Sequence, residues 1–119
     1  MNYQIKETEN KKYIELISAA TPLSTENDAL ELIALCWEHD THYIIIHQDA
    51  LSESFFDLKT KAAGSIIQKF VNYGIKAAAI IPQEASQNER FKEMALEINK
   101  GNHFRMYDNK EEAEKWLLK

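Results

Sequence analysis

"HYIIIHQ" (residues 42–48) and "IKAAAIIP" (residues 75–82) decide how this chain folds. Tyr43 to Ile46 is an unbroken apolar run with three isoleucines, and Ala77 to Ile81 is apolar throughout. Successive side chains of a strand point to opposite faces, so an unbroken apolar run needs cover on both. Strands of that kind lie inside parallel sheets with helices packed on them. Helical patterns follow each run. Residues 54–73 place Phe55, Leu58, Ala62, Ile66, Phe70 and Tyr73 at helical spacing, and Gly74 supplies a left-handed stop. In "SQNERFKEMALEINKG" (86–101), Ser86 and Glu89 have the spacing of a capping box. Phe91, Met94, Ala95 and Ile98 form that helix's apolar stripe, and Gly101 ends it.

The flanking segments complete the pattern. "TPLSTENDALELIALCWEHD" (21–40) reads as a helix capped by Ser24 or Thr25, with Asp28 in the box position. Its apolar face is Ala29, Leu30, Leu32, Ile33, Cys36 and Trp37. "YQIKETENKKYIELIS" (3–18) alternates Tyr3 and Ile5, then Ile14 and Leu16, with polar residues. This predicts a hairpin with strands at about 3–7 and 13–17, turning at Glu9-Asn10-Lys11, since Asn tolerates the left-handed conformation. "HFRMYD" (103–108) predicts a short outer strand. Asp108 with Glu111 is the expected cap of a last helix carrying Ala113, Trp116 and Leu117. The order is β-β-α-β-α-β-α-β-α: an α/β fold in one domain over residues 1–119, with a mixed, mostly parallel sheet. Gly64 inside the second helix costs about 1 kcal/mol relative to Ala. The small patch Ala62-Ala63-Gly64-Ser65 facing Ala77-Ala78-Ala79 would offset this by close approach of helix and sheet.

Fourteen basic residues against nineteen acidic ones give a net charge of −5, and no basic stripe is present. Nucleic acid and anionic membrane are therefore not expected partners. The single cysteine, Cys36, excludes an internal disulfide and fits a reducing compartment. "MNYQIKETENKKY" has no apolar signal region, and no apolar run approaches 18 residues. These features predict a cytoplasmic location.

The candidate site is "ALSESFFDLKTKAAG" (50–64), just after the first buried strand. In open α/β sheets, crevices lie beyond the carboxyl ends of strands. Asp49, Ser52, Ser54, Asp57, Lys59 and Thr60 could gather there to bind a partner or ligand. The structural reading of the same residues makes Ser52 or Ser54 a helix cap, Asp57 a first-turn acid and the Phe pair core. Cys36, His39, His42 and His47 are residue types that zinc accepts, but Cys36 falls on an apolar face, where free cysteine acts as a small hydrophobe. No nucleophile elbow, phosphate-binding loop or dinucleotide fingerprint occurs. No catalytic residue, metal or cofactor is assigned. Trp37 and Trp116 are expected to be buried within the monomer.

The element order resembles the STAS (SpoIIAA-like) domain of bacterial anti-anti-sigma factors. "PLSTENDALELIALCWEHDTHYIIIH", "LSESFFDLKTKAAGSIIQKFVNYGIKAAAIIP" and "GNHFRMYDNKEEAEKWL" more specifically resemble the bacterial domain of unknown function 4180. In STAS domains a serine opening the second helix is a phosphorylation switch. The matching place here, Phe56-Asp57-Leu58, holds no serine, so no phosphosite follows from the resemblance. What it implies is a non-catalytic regulatory module. An unknown protein partner would dock on the loop and the N-terminal half of the second helix. The alternative is a small or apolar ligand, bound or transformed in a pocket near Phe55, Phe56 and Tyr73. A strand edge left open by the hairpin or by residues 103–107 makes a homodimer a further expectation.

Overall fold

A computed structural model describes residues 1–82 and 89–119, apart from the side chains of Leu58, Arg90 and Phe91. The Ser86 cap, and the place of Phe91 in the apolar stripe, lie outside what is described. Five strands form one sheet in the order β1-β2-β3-β4-β5: β1 (Asn2–Thr8), β2 (Lys11–Ser18), β3 (Tyr43–His47), β4 (Lys76–Ile80) and β5 (Phe104–Tyr107). β1 pairs antiparallel with β2, and every later pairing is parallel. The hairpin turns on Glu9 (φ 53°) and Asn10 (φ 67°), two left-handed residues of the kind a two-residue hairpin loop requires. The helices are α1 (Glu26–Glu38), α2 (Ala62–Asn72), α3 (Glu89–Ile98) and α4 (Lys110–Leu117).

The parallel register sorts the two interior runs by face. Ile44 and Ile46 pair with Ala77 and Ala79, and all four join the large core that includes Leu32, Ile33 and Cys36 of α1, Ile66 and Phe70 of α2, and Met94 of α3. Ile45 pairs with Ala78 on the opposite face, where Ala113 and Leu117 of α4 cover them together with Tyr13 and Ile80. Burying one isoleucine completely is worth roughly 1.5–3 kcal/mol, so both faces are strongly specified.

The caps show how local chemistry sets the helix bounds. Thr25 Oγ1 accepts from Asp28 N at 3.2 Å, and Asp28 Oδ2 accepts from Thr25 N at 3.0 Å, completing the capping box. The last helix departs from expectation by one residue. Asn109, not Asp108, is its cap, and Asn109 Oδ1 accepts from Glu112 N at 2.9 Å. The second helix departs further, beginning at Ala62 rather than 54. Three 3₁₀ turns, Gln48–Ala50, Glu53–Phe56 and Leu58–Thr60, fill the interval. Ser52 caps the second of them, Asp57 Oδ1 accepts from Lys59 N, and Thr60 Oγ1 donates to Ser54 O and Asp57 O. Short polar side chains bonding to nearby backbone compete with a helix in this way. Lys61 (φ 59°) then breaks the path, and α2 starts beyond it. Asp57 is therefore not a first-turn acid of α2.

Three further expectations are corrected. Trp37 is 57% exposed and Tyr73 is 42% exposed, and they meet edge to face at 5.5 Å outside the core. Trp116 is half-buried. Gly64 lies on the exposed side of α2, where a Cβ would meet nothing within 4 Å, so no close approach to the sheet explains it.

β5 is an outer strand, as its shortness suggested. Asn99, just past α3, donates from Nδ2 to Met106 O at 3.1 Å and accepts from Met106 N at 2.8 Å. One side-chain amide thereby occupies both backbone groups that Met106 turns away from β4.

Gly64→Ala is expected to stabilise the protein by about 0.5–1 kcal/mol, because the methyl has open space and glycine carries the larger entropic cost in a helix. Thermal unfolding checks this; a lowered midpoint would refute it.

Candidate functional site

The 48–61 segment is built to hold its own shape. Leu23 N donates to Ala50 O at 2.8 Å and Ser52 N to Leu23 O at 3.1 Å, which ties the segment to the residues before α1. Ser52 Oγ and Ser54 Oγ lie 2.6 Å apart, and Thr60 bonds back to Ser54 O at 2.5 Å. The structure thus brings Ser52, Ser54, Asp57, Lys59 and Thr60 into one cluster, while Asp49 stands exposed outside these contacts. Asp57, Lys59 and Thr60 are exposed, and Ser52 and Ser54 are half-buried.

Beside this segment lies an open recess of about 570 Å³. Asp57, Lys61, Gly64, Ser65 and Gln68 line it from the loop and α2, and Glu26 lines it from α1. Of the residues expected at the site, only Asp57 reaches it. Gly64 keeps the recess open at α2 because no side chain projects there.

Phe55, Phe56 and Tyr73 line neither that recess nor the apolar one at the ends of β4 and β5. Phe55 is fully buried and packs on Phe104 at 5.7 Å and on Phe56 at 5.3 Å. Tyr73 stands at the C-terminal end of α2, where it meets Trp37. An apolar recess of about 430 Å³ does open elsewhere, beyond the carboxyl ends of β4 and β5. Ile81, Ala95, Leu96, Met106 and Tyr107 line it, with Lys92 and Asp108 as its charged groups. Leu96 is 71% exposed there.

Chemistry-bearing side chains elsewhere are separated or satisfied. Burial pushes the Cys36 thiol up to about 12, which leaves it protonated and unreactive at neutral pH. His39 meets Tyr3 Oη at 3.3 Å, whereas His47 meets Glu15 at 2.7 Å. No group of three or more metal-ligating side chains converges among the described residues. None of the described helices is long and apolar enough to cross a membrane.

One polar cluster was not visible as such in the sequence. Glu15, whose side chain is 8% exposed, points to the α4 face of β2 and receives Lys110 Nζ at 2.9 Å and His47 Nε2 at 2.7 Å. Burial alone would raise its carboxyl pKa, but the hydrogen bonds and charges of His47 and Lys110 outweigh this and hold it below the ordinary value. Beside it Tyr13 donates to Glu114 at 2.5 Å. Burial, reinforced by that carboxylate, pushes the Tyr13 hydroxyl pKa up. The signal in the sequence was a glutamate between Ile14 and Leu16, in a strand covered on both faces.

Comparisons with known proteins agree with the sequence blocks. A family model described as a domain of unknown function, DUF4180, matches residues 8–117. The chain belongs to that family. Comparison with curated proteins gives no match. Among solved structures, the NMR structure of the protein TM1081 superimposes with a TM-score of 0.51 at 13% identity, covering 100% of this chain and 90% of that one. That similarity is one of fold. The DUF4180 domain is thus α/β, with a five-stranded mixed sheet and four helices.

Glu15→Gln is expected to destabilise this DUF4180 domain by about 1–2 kcal/mol at pH 7, less than for a fully buried pair because Lys110 and His47 are partly exposed. A carboxyl with a lowered folded pKa contributes above its unfolded value and loses that contribution as pH falls through the folded value. The gap between variant and wild type should therefore narrow below about pH 4. Urea unfolding at pH 7 and pH 3 reads both effects; an unchanged gap would refute them.

Proposed function

We propose that this domain is a non-catalytic regulatory module of STAS-like fold that binds a partner protein through the 48–61 segment and the N-terminal half of α2. The observation that carries this reading is the recess at that place. A loop locked by its own hydrogen bonds and a bare glycine on the adjoining helix leave about 570 Å³ open, rimmed by Glu26, Asp57, Lys61 and Gln68. Rigid binding surfaces lose little conformational entropy on association, and mixed charge at a rim sets partner choice and on-rate. The order β-β-α-β-α-β-α-β-α supports the STAS-like assignment. Ser54 and Thr60 use their hydroxyls within the loop, which favours a fixed docking surface over a phosphorylation switch.

A second reading rests on the recess between α3 and β5. Its apolar lining and charged mouth suit a small amphipathic ligand, and its place beyond the carboxyl ends of parallel strands is where such sheets bind ligands.

One experiment separates the two. Gly64→Trp and Asp57→Lys together block the α2 recess, while Ala95→Trp fills the other. The expected outcome is a protein captured from the native host by the wild type and by Ala95→Trp, and retained at least tenfold less by the double variant. A small molecule seen by native mass spectrometry, and lost only in Ala95→Trp, would replace the first reading with the second.

A further inference from the structure

The α4 face of the sheet treats its two kinds of charge unequally. At the β2 margin the buried carboxylate of Glu15 is matched by Lys110 and His47. At the C-terminal end of α4 the charges include Lys76 of β4 and Arg105 of β5, both beside the half-buried indole of Trp116. Lys76 Nζ lies 4.5 Å from its ring centroid and the Arg105 guanidinium carbon 5.1 Å. Lys76 Nζ also donates to Trp116 O at 2.8 Å, and Lys11 Nζ to Leu118 O at 2.5 Å. Lys119 adds a fourth cation at the end of α4. Arg105 donates to Gly101 O and Asn102 Oδ1, both neutral.

Among the described residues, none of these four cations lies within ion-pair distance of a carboxylate. Burial first, and then the charges of Arg105, Lys11 and Lys119, hold the Lys76 pKa below its ordinary value. The helix C-terminus accounts for Lys11 and Lys76, whose ammonium groups satisfy its last carbonyls. It does not account for Arg105, which touches no carbonyl of α4. Three cations acting on a fourth, Lys76, are an expensive arrangement for a chain of net charge −5 that has nineteen acidic residues to draw on.

We propose that Lys76, Arg105, Lys11 and Lys119 form a binding site for a phosphate-class oxyanion, seated beside Trp116. The guanidinium fork suits paired phosphate oxygens, and each ammonium keeps donors beyond the one given to α4. The ligand supplies the negative charge that the chain withholds, and binding to the folded state alone stabilises it. This site lies on the opposite face from the α2 recess and does not depend on the partner-binding reading.

Trp37→Phe leaves Trp116 as the only indole and makes it the reporter. Pyrophosphate added to that variant at low salt is expected to change Trp116 emission saturably and to raise the melting temperature, more than sodium chloride at matched ionic strength. Arg105→Gln and Lys119→Gln, neither of which removes a bond to an α4 carbonyl, should each weaken binding about tenfold. Urea unfolding confirms that both remain folded. A nucleoside diphosphate run in parallel distinguishes the source: equal affinity means that phosphate alone is read, and tighter binding means that the nucleoside also engages. A response that does not saturate, that chloride reproduces, or that survives both substitutions unchanged overturns the proposal.

Discussion

Three successive crossovers, β2-α1-β3, β3-α2-β4 and β4-α3-β5, each step one place in the same direction across the sheet. Crossovers between parallel strands are right-handed. Steps of one hand in one direction put their helices on one side, and α1, α2 and α3 do share a core. The opposite side receives no helix from any crossover. Ile45, Ala78 and Ile80 would face water there without the eight residues of α4. The fold therefore depends on a short terminal helix docked on an interior apolar surface. Eight residues are too few for a helix to persist on its own propensity, so docking and helix formation occur together.

That dependence explains how polar groups gather around α4. It is held at its start by Lys110 to Glu15, at its middle by Glu114 to Tyr13, and at its end by Lys76 and Lys11 to its last carbonyls. Ala113 and Leu117 form its buried apolar face. Apolar contact supplies the attraction, and the polar contacts at the rim fix position, since a charge buried without its partner is costly.

The architecture was legible because Tyr43–Ile46 and Ala77–Ile81 have one physical interpretation: strands covered on both faces. Caps were less legible. Thr25 and Asp28 sat at the spacing that the structure uses, but Asp108 and Asn109 are adjacent residues of equal capping ability, and only tertiary placement of α4 chooses between them. The start of α2 was obscured because Phe55 and Leu58 fall at helical spacing, while Ser52, Asp57 and Thr60 bond locally and divert the chain. Trp37 and Tyr73 continued apolar stripes, yet each sits at or next to a helix end, where they stay exposed and meet each other. The charge clusters on the α4 face were illegible for a topological reason. Glu15, His47 and Lys110, or Lys76, Arg105 and Trp116, meet only when strand register and a returning helix bring distant segments together.

The clasp of Asn99 on Met106 has an outcome for assembly. A five-stranded ribbon with both margins bare could add copies of itself indefinitely. Here one margin is sealed at its centre by an amide that imitates a neighbouring strand. The outward backbone groups of Met106 are thereby withheld from any added strand, whereas β1 keeps its margin without such a clasp among the described residues.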